Sequence, residues 1–393
     1  MGKIYFDSIA STPLHPEVIE AMLPYLKEKY GNPQSLHFYG QEARIALEEA
    51  REKVANLIGA ESKEIYFTSS GSEANNFALK GLAFAHQGRG KHIVVSSIEH
   101  QSILHSAKSL EKSGFKFSFI PVDKFGLINP EDVKKMITKE TILVSVMTAN
   151  SEVGTIQPIE EIAQICRERE ILFHTDGVAA VGHISIDVSR IGIDALSLAG
   201  SQFYGPKGTG ALYLKKRTRI IPLVDGGIQE EGKRAGTENV AGIVGLGKAA
   251  EIATHKMKER SEKLIKLRDK LITQFPKKVD HVYLTGHPTK RLPYHISFCI
   301  EFIEGESMLL NLDLEGIAVS SGSACTSRAL KASHVLLAMG YSHAIAQGSI
   351  VFSLMEENTE EEIDYLLDVF PPIINRLREM SPLYSKFRMK AKR

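Results

Sequence analysis

The sequence lacks any long apolar run, since no stretch approaches the roughly 20 apolar residues that cross a bilayer, and we therefore expect no membrane association. It also lacks a surplus of charge, because 48 basic side chains face 47 acidic ones and leave a formal net charge of +1. Such a balance gives no general attraction for nucleic acid, so we expect no nucleic-acid partner. The first residues enter a strand-like pattern without a signal-peptide core, which predicts a cytoplasmic protein.

Cysteine is scarce, with three residues at positions 166, 299 and 325. The odd count argues against a disulfide scaffold, and the absence of a CxxC pair argues against a zinc site built from this chain alone. Cys166 falls on the apolar face of a predicted helix and Cys299 in a strand-like run, so we expect both to be small buried hydrophobes. Cys325 differs, because small polar residues flank it on both sides, as in an exposed loop.

Helical and strand patterns alternate from about residue 43 to residue 215. Apolar residues recur at helical spacing from Leu47 to Ile58, and Gly59 follows as a C-cap. Short runs that are apolar on both faces come next, at residues 65–68, 92–96, 117–121, 141–147, 171–176 and 194–198. This pattern predicts an α/β fold with a mostly parallel sheet covered by helices on both sides. Ligand-binding loops are expected at the carboxyl ends of its strands.

The pattern changes near residue 255, where a charged helix is predicted over residues 256–275. Strand-like segments and further helices follow it. We therefore predict a large α/β domain over residues 15–255 and a smaller α+β domain formed by residues 1–14 and 256–393. The smaller domain carries Cys325. Its basic C-terminal tail is expected either to be solvated or to dock an acidic partner.

The segment over residues 196–208 carries the strongest functional signal, and it reads Leu-Ser-Leu-Ala-Gly-Ser-Gln-Phe-Tyr-Gly-Pro-Lys-Gly. Other motifs lie in order along the chain: Tyr5-Phe6-Asp7, Gly31-Asn32-Pro33, Phe67-Thr68-Ser69, Glu99-His100, Asn150 with Glu152 and Gly154, His174 with Asp176, Gly226-Gly227, Arg234 with Gly236-Thr237, Glu304-Gly305-Glu306-Ser307, and Ser320 to Thr326. Together they resemble the NifS-type cysteine desulfurases, a class-V aminotransferase-like family that binds pyridoxal phosphate (PLP) on fold type I. The resemblance implies a seven-stranded sheet and a homodimer, in which Thr237 reaches the phosphate in the neighbouring subunit.

Several residues that surround PLP in that family have counterparts here. The resemblance implies that Asp176 pairs with the pyridinium nitrogen, that His100 stacks on the ring as a catalytic residue, and that Asn150 lies near the phenolic oxygen. Gly71 and Ser72 open a predicted helix, so their backbone N–H groups and the serine hydroxyl would hold the phosphate.

Other positions depart from the family's pattern. Gln202 stands where the family has the lysine that forms a Schiff base with PLP, and Ser201 replaces the adjacent histidine, which helps to hold the phosphate in that family. Both are still expected to line the cofactor pocket, but a carboxamide nitrogen is not nucleophilic and cannot form the covalent bond. The remaining departures are Ala199 for a phosphate-binding serine, Ala179 for a glutamine, Val351 for the arginine that clamps the substrate carboxylate, Asp225 for a histidine and Glu231 for an arginine. Lys207 is matched separately and would need another backbone path to replace the missing lysine.

Cys325 lies in an intact motif, and the resemblance implies that its thiolate receives sulfur from the substrate as a persulfide. It would also be a candidate ligand for iron in a cluster shared with a scaffold protein. The first interpretation is a sulfur-transfer protein of iron–sulfur cluster assembly whose own desulfurase activity is in doubt. The alternatives are an active enzyme that uses L-cysteine and non-covalently bound PLP, or a diverged protein without PLP that binds another ligand or only docks a scaffold.

Overall fold

The computed structural model describes residues 2–322 and 332–391, so Cys325 lies outside the described residues. The strands are β1 Ile4–Tyr5, β2 Ile65–Thr68, β3 His92–Ser96, β4 Lys116–Ile120, β5 Thr141–Ser145, β6 Leu172–Asp176, β7 Ala195–Ala199, β8 Gly210–Leu214, β9 Val282–Leu284, β10 His295–Ile300, β11 Ile317–Ala318 and β12 Ser349–Ser353. The α-helices are α1 Pro16–Lys27, α2 Phe38–Ile58, α3 Gly71–Asn76, α4 Leu82–His86, α5 Gln101–Glu111, α6 Pro130–Met136, α7 Ile159–Glu168, α8 Val188–Ile191, α9 Val240–Lys278, α10 Gly305–Leu314, α11 His334–Ala338, α12 His343–Ala346, α13 Glu360–Met380 and α14 Pro382–Ala391. A π-helical turn, Phe77–Gly81, joins α3 to α4.

A seven-stranded sheet in the order β2-β8-β7-β6-β5-β3-β4 forms the centre of the molecule. Strand β8 runs antiparallel to both of its neighbours, and the other strands share one direction. The predicted mostly parallel seven-stranded sheet is therefore confirmed. Strands β3, β5, β7 and β8 are buried along their whole length, as expected for strands covered on both faces, whereas edge strand β4 exposes Lys116.

Helices cover the sheet, and two of them approach each other closely. A Cβ atom added at Gly247 of α9 would lie 2.6 Å from the Cα atom of Ala50 in α2, so only glycine allows this contact. Helix α2 ends at Gly59, whose φ of 67° is the left-handed C-cap predicted from the sequence. Cys166 on α7 and Cys299 on β10 are both buried, which confirms that part of the cysteine interpretation.

The C-terminal part contains two smaller sheets. Strands β9, β10 and β12 form an antiparallel sheet, and β1 pairs in parallel with β11. The N-terminal segment is therefore joined to residues far along the chain, and Ser353 N donates to Phe6 O at 2.8 Å. Helix α9 begins at Val240, before the helix start predicted at residue 256, and it runs across position 255. The division into domains at that position stays a prediction.

Among residues 2–322 and 332–391, no helix combines the length and the apolar character that a membrane crossing requires. The loops that follow β2, β3, β5, β6 and β7 all leave the sheet at the carboxyl ends of parallel strands. Functional side chains are expected at this edge in open α/β sheets.

Candidate cofactor pocket

A cavity of about 480 Å³ opens at this edge of the sheet. Its volume lies within the range of roughly 300–1,000 Å³ that is typical of small-molecule sites. Six of the predicted cofactor residues line it: Gly71, Ser72, His100, Asp176, Ser201 and Gln202. Asn150 and Thr237 are not in its wall. The cavity therefore brings together residues from β6 and from the loops after β2, β3 and β7.

Asp176, the last residue of β6, is held by two hydrogen bonds. Its Oδ1 atom accepts from Val178 N at 2.9 Å, and its Oδ2 atom accepts from Asn75 Nδ2 at 2.6 Å. Burial raises the pKa of Asp176, while the nearby His100 ring and these hydrogen bonds oppose the rise. The carboxyl group is thus oriented and kept out of water, which suits the binding of a cationic ring nitrogen.

Asn75 is a site residue that the sequence interpretation missed. It lies in α3, it is buried, and its Nδ2 atom also donates to Ser102 Oγ at 2.9 Å. Ser102 Oγ lies 2.7 Å from His100 Nδ1, so one polar chain connects Asp176 to His100. The Oδ1 atom of Asn75 is buried without a hydrogen-bond partner in the described part of the chain. No local pattern in the sequence distinguishes it from an ordinary helix residue.

His100 is the N-cap of α5, and its Nδ1 atom accepts a hydrogen bond from Ser102 N at 3.2 Å. This contact fixes the imidazole at the start of the helix, where its ring forms part of the cavity wall. The expected stacking of His100 on a ring-shaped ligand stays a prediction. Its catalytic role stays a prediction.

The turn after β7 contains Gln202, which stands in place of the lysine in the family's pattern. Residues Gly200–Gln202 form a 3₁₀ turn, whose backbone is fixed by Thr12, since Thr12 N and Oγ1 both donate to Ser201 O. The carbonyl of Gln202 accepts from His183 Nε2 at 2.8 Å. The Gln202 side chain is only 9% exposed and lines the cavity, yet its carboxamide has no partner within the described residues. A turn held by Thr12 and His183 thus presents to the cavity an amide that is unpaired within the described residues.

Asn150 lies beside the cavity, but its side chain makes hydrogen bonds within the protein. Its Nδ2 atom donates to Ile98 O at 2.9 Å, and its Oδ1 atom accepts from Glu152 N and Val153 N. The following residue, Ser151, is the one that lines the cavity. The expected contact of Asn150 with a ligand therefore stays a prediction that this geometry does not support.

Two buried glutamates lie at or near the cavity. Glu152 is in its wall and accepts a hydrogen bond from Ser333 Oγ. Burial raises the pKa of Glu152 to about 7, and the bond from Ser333 opposes this rise. Glu99 is fully buried, accepts from Met147 N at 2.8 Å, and its pKa is raised well above its ordinary value by burial. Both residues belong to the motifs found in the sequence, but neither carboxyl group was assigned a role there.

The described lining residues that come from the N-terminal and C-terminal parts of the chain carry no charge. Val351 of β12 is buried in the cavity wall, where it exchanges backbone hydrogen bonds with Ser320. The cationic or protonatable basic side chains that do line the cavity in the described part of the chain are His100 and Lys207. Among the described residues, no basic side chain of the cavity wall belongs to the segments beside Val351, so these segments offer a carboxylate no positive charge.

The two acidic departures, Asp225 and Glu231, do not line the cavity. Glu231 instead pairs with Lys233 at 3.0 Å and accepts from the Tyr66 hydroxyl at 3.3 Å. The structure therefore separates these acids from Ser201 and Gln202, which do line the cavity.

Comparison with known proteins shows the family to which this chain belongs. The family model described as aminotransferase class-V matches residues 4–366, so the chain belongs to the class-V aminotransferase family. The α/β architecture is that of PLP fold type I, since a solved NifS-like protein superposes with a TM-score of 0.90 at 39% identity over 95% of this chain and 100% of the other. A NifS-like protein from Rickettsia africae gives a TM-score of 0.86 at 32% identity, over 95% of this chain and 99% of the other.

Curated relatives within this family are named cysteine desulfurases. The chain is 51% identical to a protein named cysteine desulfurase IscS from Dictyoglomus turgidum, over 99% of both chains. It is 51% identical to cysteine desulfurase IscS from Methanosarcina thermophila, over 98% of this chain and 95% of the other. The similarity to cysteine desulfurases thus extends over nearly the whole chain, and the predicted resemblance is confirmed.

Proposed function

We propose that this chain is a cysteine desulfurase-type protein of sulfur transfer and iron–sulfur cluster assembly that holds PLP without a covalent bond. We further propose that its own release of sulfur from L-cysteine is strongly reduced. One observation carries this proposal: the unpaired Gln202 carboxamide lies in the wall of a cavity that still contains Asp176. The names of the curated relatives support the sulfur-transfer setting.

The residues present fit PLP. The buried carboxyl of Asp176 suits the ring nitrogen, His100 lies in the wall beside it, and the backbone N–H groups at Gly71 and Ser72 suit the phosphate. The Oδ1 atom of Asn75 has no hydrogen-bond partner in the described part of the chain, so it would accept a hydrogen bond from a group that completes this site. When bound, PLP supplies an electron-withdrawing ring that stabilises negative charge on the amino acid.

Two features support reduced desulfuration. Gln202 offers no amine, so it can neither attach the cofactor nor carry a proton between atoms of the substrate. Val351 offers no charge-assisted hydrogen bond to the carboxylate of L-cysteine, a contact that an arginine would make with two N–H groups. Binding and orientation of the substrate are both weakened.

Cys325 is proposed to receive and pass on sulfur, or to ligate iron of a cluster held by a scaffold protein. The residues just before it support this role, because Ser320, Ser321 and Gly322 line the cavity. Sulfur would then reach Cys325 from another donor protein as well as from slow turnover in the cavity. Replacement of Cys325 by serine is expected to abolish the contribution of this protein to cluster assembly on the scaffold.

We also propose a homodimer with shared sites. Leu36 is 91% exposed and Phe38 is 72% exposed, and such apolar surface is typical of an interface. Gln34, which lies just before these two residues, contacts the segment that carries Thr237, since its Nε2 atom donates to Glu238 Oε1 at 3.4 Å. Pairing through this surface would bring Thr237 towards the cavity of the other subunit.

A cytoplasmic location is proposed as well. Cys166 and Cys299 are both free thiols, which suits a reducing compartment. Fractionation of cells that express the full chain would test this location.

The test of PLP binding is an absorption spectrum of the purified protein with and without added PLP, followed by L-cysteine and then borohydride. We expect a saturable cofactor band, a slow response to L-cysteine, and no protein-bound PLP after reduction. The Gln202→Lys variant is the matched control, because it should gain a reducible covalent bond to PLP. A covalent adduct in the unaltered protein, or the absence of any band at saturating PLP, would overturn the proposal.

A further inference from the structure

We infer that Lys207 binds the phosphate of the ligand held in this cavity and so replaces the phosphate donors that the departures at Ala199 and Ser201 remove. This inference rests on the proposed function, since it concerns the same pocket. It assigns a binding role to a lysine that the sequence interpretation treated only as an alternative attachment point.

The register of the large sheet places three loops side by side. Gly210, the first residue of β8, pairs with Thr68 at the end of β2 and with Ala199 at the end of β7. From these three positions the chain continues into residues 69–72, residues 200–202 and, in the reverse direction, residues 207–209. Lys207 therefore lies at the same edge of the sheet as the segment that contains Gly71 and Ser72.

Close contacts confirm that these loops adjoin. A Cβ atom added at Gly210 would lie 2.7 Å from the carbonyl carbon of Ser70, and one added at Gly71 would lie 3.4 Å from the Cβ atom of Ala199. Glycine at these positions leaves room between the loops. Lys207 and Thr209 line the cavity on this side together with Ser70 and Ser72.

The chemistry at this end suits a phosphate. Lys207 is exposed, and within the described residues its ammonium group has no ion pair or hydrogen bond. The Ser72 hydroxyl likewise makes no hydrogen bond in this part of the chain. The nearby acid Glu73 does not compete for Lys207, because Arg234 Nε donates to it at 2.9 Å. Within the described residues, Lys207 and Ser72 thus line this end of the cavity with an ammonium group and a hydroxyl that no other side chain engages.

The carboxylate of an amino acid is the other anion that a lysine could hold. Its expected place is the wall around Val351, which belongs to β12 in the separate antiparallel sheet. Lys207 belongs instead to the loop before β8 of the large sheet. The geometry therefore favours the phosphate over the substrate carboxylate.

Titrations with PLP and with pyridoxal, which lacks the phosphate, test this assignment on the full chain. We expect Lys207→Met to weaken PLP binding about tenfold and to leave pyridoxal binding unchanged. Lys207→Arg should keep most of the affinity for PLP. Lys63→Met is the matched control, since Lys63 is exposed near the start of β2 and does not line the cavity.

Other outcomes would overturn the inference. Equal losses for PLP and pyridoxal would mean that Lys207 acts on the ring or the fold, and no loss for either would mean that it is outside the site. A weaker response to L-cysteine with unchanged PLP affinity would assign Lys207 to the carboxylate. If the unaltered protein bound neither PLP nor pyridoxal, the proposed function itself would fail.

Discussion

The Nδ2 atom of Asn75 lies 2.6 Å from the Oδ2 atom of Asp176, and it joins a helix after β2 to the end of β6. Asn75 also donates to Ser102 Oγ, which contacts His100 Nδ1. A single amide thus bonds directly to Asp176 and, through Ser102, to His100, the two side chains that are proposed to contact the cofactor ring. Its loss should affect the ligand more than the fold.

Asn75→Ala is expected to lower PLP affinity about tenfold, because Asp176 loses a hydrogen bond that favours its charged form. The pKa of Asp176, already raised by burial, should rise further, so that binding shifts to higher pH. A fluorescence titration of PLP binding across pH would measure both effects. An analogue with carbon in place of the ring nitrogen is the control, since it makes no bond to Asp176 and should lose clearly less affinity than PLP in the variant. An equal loss for this analogue would contradict the assignment.

Glu152 should make the stability of the protein depend on pH. Burial raises its pKa from 4.5 to about 7, so between these values the folded protein keeps a proton that the unfolded chain has lost. The free energy of unfolding therefore falls as pH rises through this window, by about 3 kcal/mol in total.

Glu152→Gln should remove this fall, because the amide does not titrate. Urea unfolding at pH 5 and pH 8 would measure it, as the variant should gain stability relative to the unaltered protein on going to the higher pH. Glu160→Gln is the control at an exposed site and should show no such gain. Parallel pH profiles for the unaltered protein and Glu152→Gln would contradict the prediction.

The sheet and the turn with Gln202 could be predicted from the sequence, because buried strands carry continuous apolar runs and the family's motif is ordered along the chain. The role of Asn75 could not be predicted, since it arises from a contact between helix α3 and a strand that lies far along the chain. Asn150 and Ser151 show a second reason. Adjacent residues face different surroundings, so a motif that identifies the loop does not decide which side chain enters the cavity.

The buried ion pair of Arg51 and Glu230 anchors the segment that leads to Thr237. Arg51 Nη1 and Nη2 each lie 2.8 Å from a carboxylate oxygen of Glu230, which also accepts from Phe67 N. Glu230→Gln is expected to cost about 3 kcal/mol, because it removes the buried counter-charge of the guanidinium and leaves the exposed Glu48, 3.4 Å from Arg51 Nε, as its acidic partner. Denaturant unfolding would measure this loss. The same change at Glu160, whose pair with Arg190 is exposed, should cost under about 1 kcal/mol, and equal costs at the two sites would contradict the argument.

The exposed loop that ends in Leu36 and the start of helix α2 at Phe38 are expected to form the subunit interface. Leu36→Glu combined with Phe38→Glu would place two carboxylates in an apolar contact, so the dimer should dissociate into monomers in sedimentation velocity experiments. PLP affinity should fall with dissociation, because Thr237 of each subunit is proposed to serve the cavity of the other. Leu314→Glu is the control, since Leu314 is 84% exposed at the end of α10, outside this loop. A dimer that survived the double change would place the interface elsewhere, and monomers that bound PLP with unchanged affinity would separate Thr237 from the phosphate.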